Sequence, residues 1–326
     1  MGGVRALVIG AGSIGLRHRR VLEGLGIQAD FVSRRSNAGI AEDVRTYSDI
    51  DTALREACPD HVVIANETSA HLTTLLGLAG AGFSGTVVVE KPLTATAINI
   101  DQVGRSTRQF RAVAVGYQLR FHPAVGAARA LMADAAPVAL EASAGQHLAS
   151  WRPGRGIGET ASARREDGGG VLRDLSHELD LVLWLAGDWR RVCALGGRSG
   201  ALGAAVATDD HWSVLLELAS GAVATVHLDA LDRVGQRRMS LVAADRTVTV
   251  DLLGGGVSHA DAEGSRIEQH PAERDDVLAA MHRSLLNGAD DDRRCSLEQG
   301  IAVVRLIDAI ECSARTGAWV DSESGA

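Results

Sequence analysis

Apolar and polar positions change rhythm once along the chain. Over the first third, short β-branched runs at Val4 to Ile9, Ala29 to Val32, His61 to Ala65, Thr86 to Glu90 and Arg111 to Tyr117 alternate with amphipathic stretches at Ile14 to Leu25, Ala70 to Ala81 and a further one ending near Arg108. Strands alternating with helices of this length predict a parallel sheet covered on both faces. Past His122-Pro123, a helix to about Met132 leads to a strand at Val138 to Ser143. A polar, Gly- and Arg-rich stretch from Gly154 to Gly170 follows, too long for an ordinary connection and read as a functional loop. The spacing then predicts a helix from about Val171 to Ala186. Beyond it, Trp212 to Leu218, Ala222 to Leu228 and Thr247 to Leu252 alternate apolar and polar, as antiparallel strands with one buried face do. Ser296-Leu297-Glu298 marks the start of a last helix, with Ile301, Val304, Ile307 and Ile310 on one face.

Composition narrows this picture. A chain of 326 residues exceeds one domain of roughly 150, so two domains are expected, residues 1–120 and 121–326, with a cleft between them. The net charge of -8 comes from interspersed acids and bases. No basic run could neutralise a phosphate backbone, so nucleic acid is not an expected partner. Cys58, Cys193, Cys295 and Cys312 lie far apart, which speaks against a disulfide framework or a structural zinc. No stretch reaches the roughly 18 apolar residues of a membrane span. Met1-Gly2-Gly3 runs straight into a strand, so no membrane partner and a cytoplasmic location are expected.

Gly10-Ala11-Gly12-Ser13-Ile14-Gly15 closes the first strand and opens the first helix, the context in which G-x-G-x-x-G signals a dinucleotide site. Gly10 permits a tight turn, Gly12 lets the backbone approach a pyrophosphate, and Gly15 lets helix and strand pack. The helix amino terminus offers its N–H groups to the anion. The expected fold class is therefore an α/β Rossmann domain with a parallel sheet, followed by an α+β domain with a predominantly antiparallel open sheet. The second strand ends at Ser33, followed by Arg34 and Arg35. A small residue and arginines in place of a carboxylate favour a 2′-phosphate, hence NADP, with NAD as the alternative if a shorter strand made Asp30 the ribose ligand.

Glu90-Lys91-Pro92 sits at the carboxyl end of a buried strand, where ligands bind in open α/β sheets. The proline restricts the backbone of Lys91 and permits a cis bond. Farther on, Gly168-Gly169-Gly170 precedes Asp174, His177 and Asp180, spaced by three as on one helical face. A carboxylate beside an imidazole is a usable proton-transfer pair. Asp174, His177, Asp180 and Glu178 do not converge from a helix, so no metal is expected.

In this order, the glycine motif, Asn66 to His71, Glu90-Lys91-Pro92, Gly116 to Pro123, Trp151-Arg152, the triple glycine with His177-x-x-Asp180 and the Ser-Leu-Glu helix resemble the Gfo/Idh/MocA oxidoreductases over nearly the whole chain. The resemblance implies hydride transfer between nicotinamide C4 and a carbon of a sugar, nucleotide-linked sugar or cyclitol. It implies catalytic roles for Lys91 and His177, which hold the substrate hydroxyl and exchange its proton, and for Asp174. The commoner family spacing puts the aspartate four residues before the histidine, where this chain has Arg173. Cofactor contacts are implied at Gly10, Gly12, Ser13, Ile14 and Gly15, at Ser33, Arg34 and Arg35, and at Asn66, His71, Glu90, Lys91 and Gln118. Substrate contacts are implied at Arg120, Trp151, Arg152, Asp174 and His177. Arg152, Arg155, Arg164 and Arg165 hint at an anionic substrate. The open sheet is expected to be covered in a homodimer or homotetramer. Two alternatives stand: an NAD(P)-sensing regulatory protein on the same fold without turnover, and an enzyme for a non-sugar, which would call for more aromatic lining than 3% aromatic residues supply.

Overall fold

Each early apolar run becomes a strand in the computed structural model, which describes residues 3–33, 44–98, 100–151, 154 and 156–322. β1 (Arg5–Ile9), α1 (Ser13–Gly24), β2 (Gln28–Val32), β3 (Thr46–Tyr47), α2 (Ile50–Ala57) and β4 (His61–Ile64) come first. α3 (His71–Gly80), β5 (Thr86–Val89), α4 (Val103–Ser106) and β6 (Ala112–Val115) complete the series. The six strands pair in the order β3-β2-β1-β4-β5-β6, all parallel. β4 and β5 are buried at every position, which is why they read as unbroken apolar runs. The chain leaves β1 toward β2 and returns beyond it as β4, so the topological switch point falls between β1 and β4.

The second series is α5 (Pro123–Leu131), β7 (Ala139–Gly145), α6 (Leu148–Trp151), α7 (Val171–Asp174) and α8 (His177–Ala186), then β8 (Trp189–Gly197), β9 (His211–Leu218) and β10 (Val223–Asp229). It continues with β11 (Gln236–Val242), β12 (Arg246–Asp251), β13 (Gly256–Asp261), β14 (Gly264–Gln269), α9 (Arg274–Leu286), α10 (Leu297–Thr316) and β15 (Val320–Asp321). Nine strands form one sheet in the order β14-β13-β12-β11-β7-β10-β9-β8-β15. Only β7 and β10 pair in parallel; every other neighbour is antiparallel. β9 and β10 alternate buried and accessible residues, the signature of a sheet with one covered face.

Two units result. The first runs to Gln118 and takes in Glu273–Ile301; the second comprises Leu119–Ala272 and resumes at Ala302. α9 therefore belongs to the first unit. It packs on α1, where Asp275 receives Arg17 at 3.0 Å and Arg20 at 2.7 Å. α10 opens with a reciprocal capping box: the Ser296 hydroxyl accepts from the Gln299 N–H at 3.3 Å, and Gln299 Oε1 accepts from the Ser296 N–H at 3.0 Å.

The helix expected over Val171 to Ala186 is two helices, broken at Leu175 and Ser176. The Ser176 hydroxyl donates to the Arg173 carbonyl at 2.9 Å and thereby competes for the acceptor that a continuous helix would give to the His177 N–H. Asp174 consequently ends one helix and His177 begins the next, so the three-residue spacing of Asp174, His177 and Asp180 does not lie on one uninterrupted helix.

Candidate functional site

The turn from β1 to α1 is shaped by its glycines. A Cβ at Gly15 would lie 1.9 Å from the Gly10 carbonyl, and one at Gly10, whose φ is +108°, would lie 2.6 Å from the backbone of Ala65 and Asn66. These two glycines let helix, strand and the loop after β4 meet at the switch point. Gly12 differs: a Cβ there would stand in open space, so its lack of a side chain serves whatever approaches from outside. Gly12 is the N-cap of α1, no side chain caps that end, and its first turn carries no acid. The free N–H groups and the positive end of the helix dipole are thus available to an anion. Ser13 and Ile14 form the first turn of this helix.

Ser33 directly follows β2, its N–H donating to the Tyr47 carbonyl at 3.0 Å. Asp30 lies inside β2, in register with Leu7, and burial raises its carboxyl above the usual range despite the opposing charge of Arg45. Arg34 and Arg35 lie outside the described residues, as do Arg152 and Arg155.

Around the switch point the chain presents buried acceptors. Asn66 donates through Nδ2 to the Thr74 hydroxyl at 2.9 Å, while its buried Oδ1 meets no donor among the described residues. Gln118 Oε1 is likewise buried and unmatched. An acceptor in this condition costs about 1–3 kcal/mol unless a ligand supplies the hydrogen. With the glycine turn, these atoms fit a dinucleotide, whose ribose hydroxyls and carboxamide carry such hydrogens.

Lys91 follows β5 and is joined to Pro92 by a cis bond. It is the sole lysine among 33 basic residues. Two buried side chains fix its surroundings. His71 places Nδ1 3.0 Å from the Pro92 carbonyl and Nε2 3.2 Å from the Asn66 carbonyl, tying the loops after β4 and β5 together. Burial, the largest influence, keeps this ring below its usual pKa, so it donates to one carbonyl at a time. Glu90 turns both oxygens to the protein: Oε1 lies 2.8 Å from His18 Nε2, and Oε2 accepts the Lys91 N–H at 3.1 Å. Gly116 leaves room for this carboxylate, since a Cβ there would come within 3.1 Å of it. Burial opposes its ionisation, yet the bond from His18 and the charge of Lys91 hold it below the ordinary carboxylate pKa.

Sequence reasoning missed what stands behind Glu90. His18 Nδ1 is 2.8 Å from His282 Nε2, His282 Nδ1 is 3.1 Å from His61 Nε2, and His61 Nδ1 is 2.7 Å from the Thr86 hydroxyl. All three imidazoles are fully buried. They come from α1, α9 and β4, and no spacing motif links positions 18, 61 and 282. The available signal was an apolar stripe at Val277, Leu278, Met281 and Leu285 in which His282 is embedded. Burial drives His61 down to about 3 and His282 well below its usual pKa. The unfolded chain therefore takes up protons first as pH falls below 6.5. Their contribution to stability is complete above that pH and is lost progressively toward pH 3. Each ring contributes a slope near 1.4 kcal/mol per pH unit, and the pair about 3 kcal/mol of lost stability between pH 6.5 and 5. Urea midpoints at pH 7, 6 and 5 should fall accordingly, before the carboxylates titrate; a flat profile would refute neutral burial.

In the second unit, the triple glycine brings Asp209 to the start of α7. A Cβ at Gly170 would lie 2.1 Å from Asp209 Oδ1, and Asp209 Oδ2 accepts from the Leu172 N–H at 2.8 Å and Trp212 Nε1 at 2.7 Å. This cap, also missed from sequence, orients the helix that ends in Asp174. His177 is buried at the start of α8, while Asp174 is half-buried. Three charged pairs lie nearby. Arg120 grips Asp180 with Nη2 at 2.6 Å and Nε at 3.0 Å, Glu178 pairs with Arg237 at 2.7 Å, and Arg173 with Glu311 at 2.6 Å. Arg120, expected at substrate, is placed in this fully buried pair. Trp151 ends α6, its indole N–H donating to the Gln146 carbonyl at 3.0 Å. Arg164 pairs with Asp167 at 2.7 Å, and Arg165 is exposed. Among the described residues no three His, Cys, Asp or Glu side chains are grouped to hold a metal, and no helix is long and apolar enough to cross a membrane.

Comparison with known proteins matches residues 4–117 to the oxidoreductase family with an NAD-binding Rossmann fold, and residues 137–249 to the GFO/IDH/MocA C-terminal domain. UDP-N-acetylglucosamine 3-dehydrogenase of Acidithiobacillus ferrooxidans is 26% identical over 296 residues, 89% of this chain and 87% of that protein. Levoglucosan dehydrogenase in complex with NADH superposes with a TM-score of 0.83 at 19% identity over 98% of both chains. GenD2 from gentamicin A biosynthesis, in complex with NAD, superposes at 0.81 with 22% identity, over 99% of this chain and 97% of that one. The solved structures share the fold, and the two domain matches carry the kinship, so this chain belongs to the Gfo/Idh/MocA family of oxidoreductases.

Proposed function

We propose that this chain is an NADP-preferring dehydrogenase that oxidises a CH–OH group of a sugar, nucleotide-linked sugar or cyclitol, with Lys91, His177 and Asp174 as its catalytic residues. The observation that carries the reading is Lys91: the only lysine of the sequence stands at the carboxyl end of β5, beside the switch point, with its backbone held by Glu90 and His71's bond to Pro92. Arginine serves every other basic position, but its guanidinium does not release a proton in the working range, whereas an ammonium does.

The bound nicotinamide supplies the hydride acceptor. The chain's own residues manage the oxygen. Lys91 offers a cation to the alkoxide character that develops as the C–H bond breaks. With His177 it holds the hydroxyl and exchanges its proton, and Asp174 supports the imidazole. Asn66 and Gln118 accept from the cofactor's hydroxyl and amide hydrogens, and the α1 amino terminus holds its pyrophosphate. Arg120 acts on α8 through Asp180.

Ser33 at the end of β2, with Asp30 back inside the strand, supports NADP over NAD, because no described carboxylate occupies the strand end to accept from a ribose 2′-hydroxyl. Nucleotide-linked sugars head the substrate screen, since a relative covering 89% of this chain is a UDP-N-acetylglucosamine 3-dehydrogenase. The accessible residues of the second sheet, Leu195 and Ile267 among them, would be covered by another copy of the chain.

Fluorescence titration with NADPH and NADH tests the cofactor reading, and a panel of nucleotide-linked and free sugars then tests turnover. NADPH is expected to bind about tenfold more tightly, the worth of one charge-assisted contact. Preference for NADH would overturn the NADP assignment. Binding without turnover on any sugar would instead favour a cofactor-sensing role.

A further inference from the structure

The hydrogen-bonded line through the first unit runs from one end of the parallel sheet to the other. Thr86 and His61 begin β5 and β4, Glu90 follows β5, and His282 and His18 bridge the interior between them. Every member is buried to 5% exposure or less. At the amino end, the Thr86 hydroxyl also reaches the Asp60 carbonyl at 3.3 Å, and Asp60 lines an open surface cavity of about 480 Å³ with Gly85 and Arg111.

With one hydrogen on each imidazole, two proton arrangements satisfy every one of these bonds. In the first, Glu90 is a carboxylate and all hydrogens point toward it: Thr86 O–H to His61 Nδ1, His61 Nε2–H to His282 Nδ1, His282 Nε2–H to His18 Nδ1, and His18 Nε2–H to Glu90 Oε1. In the second, Glu90 is a neutral acid and all hydrogens point away. Glu90 then donates to His18 Nε2, each ring donates through Nδ1 to the next, and Thr86 donates to the Asp60 carbonyl. The two differ by one proton. Passing it between Thr86 and Glu90 moves each hydrogen across one bond, needs no ring to flip, and involves no electrons; the Asp60 carbonyl only orients the Thr86 hydroxyl, whose hydrogen exchanges with water of the cavity beside Asp60.

We propose that His61, His282 and His18 form a proton path between the amino edge of the sheet and Glu90, by which the proton released at Lys91 during oxidation leaves the interior. This rests on the reading of Lys91 as catalytic. Oxidation of a CH–OH group yields a carbonyl, a reduced nicotinamide and one proton; Lys91 gives an ammonium proton to the Glu90 carboxylate and takes up the hydroxyl proton in its place, so it ends charged as it began, and the path returns Glu90 to its charged form. The exit lies at the strand ends opposite those that face the switch point, so it operates while substrate and cofactor cover Lys91. The groups acting on the rings suit this use. Burial keeps His61 and His282 neutral, and the nearby Arg111 further discourages a charge on His61. His18 and Lys91 favour charge on Glu90.

Nitrogen-15 histidine spectra of the cofactor-free protein test the path without turnover. Wild type should show His61 and His282 neutral, with the hydrogens of the line at Nε2 of all three rings. In Glu90→Gln the amide oxygen must take the Lys91 N–H, leaving the amide nitrogen to donate to His18 Nε2, so all three rings should switch to Nδ1–H. Reversal at His61, which does not touch residue 90, establishes the coupling; His61 unchanged beside a switched His18 overturns it. The functional arm is His282→Gln, which can hydrogen-bond but not relay. It should lower kcat on the order of 10²-fold and enlarge the solvent isotope effect, with NADPH affinity unchanged. Should that variant fold poorly, Thr86→Val interrupts the same line at its outer end. Undiminished kcat in both would overturn the path while leaving the dehydrogenase reading intact, whereas absence of turnover in wild type would strike that reading and leave the spectra to decide on the path.

Discussion

Replacing Lys91 with methionine is expected to lower kcat/KM by about 10²–10⁴-fold, the span of a positioned proton donor or acceptor, with NADPH affinity held within about twofold because the proposed reading has the glycine turn and α1 carry the pyrophosphate. Lys91→Arg separates the two roles of the side chain. If a fixed cation beside the developing oxyanion suffices, arginine restores most of the rate; if the side chain must release a proton to Glu90, arginine fails almost as badly as methionine, since its guanidinium stays charged. We expect failure, and full activity of Lys91→Arg would remove the proton-exchange role. The absence of any other lysine makes the site open to direct observation. Reductive methylation with labelled formaldehyde marks only Lys91 and the amino terminus, so the titration of this one ammonium can be followed with and without Glu90→Gln. Loss of the neighbouring carboxylate should lower its pKa, because Glu90 favours the charged form.

Much of the scaffold was legible because local signals and global fold agreed. The glycine turn sat between a β-branched run and an amphipathic helix, the runs at β4 and β5 were unbroken because both faces are buried, and β9 and β10 alternated because one is not. The break between α7 and α8 was not legible, since it depends on which acceptor the Ser176 hydroxyl finds, and helix periodicity is blind to that choice. Nor was the membership of α9 in the first unit, where the chain returns after more than a hundred residues of the second. The histidine line followed from that return. His282 meets His18 and His61 across separations of 264 and 221 residues, and a contact of that kind leaves no trace in spacing. The strand-end position of Lys91 before Pro92 was legible, whereas its surroundings, Glu90 with His18 and Gly116, emerged only from packing.

The buried pair of Arg120 and Asp180 should carry the largest stability effect in the second unit. Both side chains are 1% exposed, and the guanidinium meets the carboxylate through two nitrogens. The Arg120 guanidinium also lies 5.3 Å from the Trp184 ring, which Arg129 approaches to 4.4 Å. Taking the arginine away leaves a carboxylate without its counter-charge in a low-dielectric interior, so Arg120→Met is expected to destabilise by about 3–5 kcal/mol. Desolvation of two ions offsets most of their attraction, so Arg120→Met with Asp180→Leu should recover much of that loss and fall near wild type. Urea unfolding of the two singles and the double measures the coupling directly; a loss below about 1 kcal/mol in Arg120→Met would show the charge to be solvated after all. Asp180 lies one turn beyond His177 on α8, so the pair also fixes the helix that presents the imidazole. The double variant separates fold from function on this point. With stability recovered but the guanidinium clamp gone, α8 keeps its apolar packing and the Glu178–Arg237 pair but loses the tie one turn from His177, and kcat should remain below wild type while cofactor affinity, which the proposed reading places in the first unit, does not change.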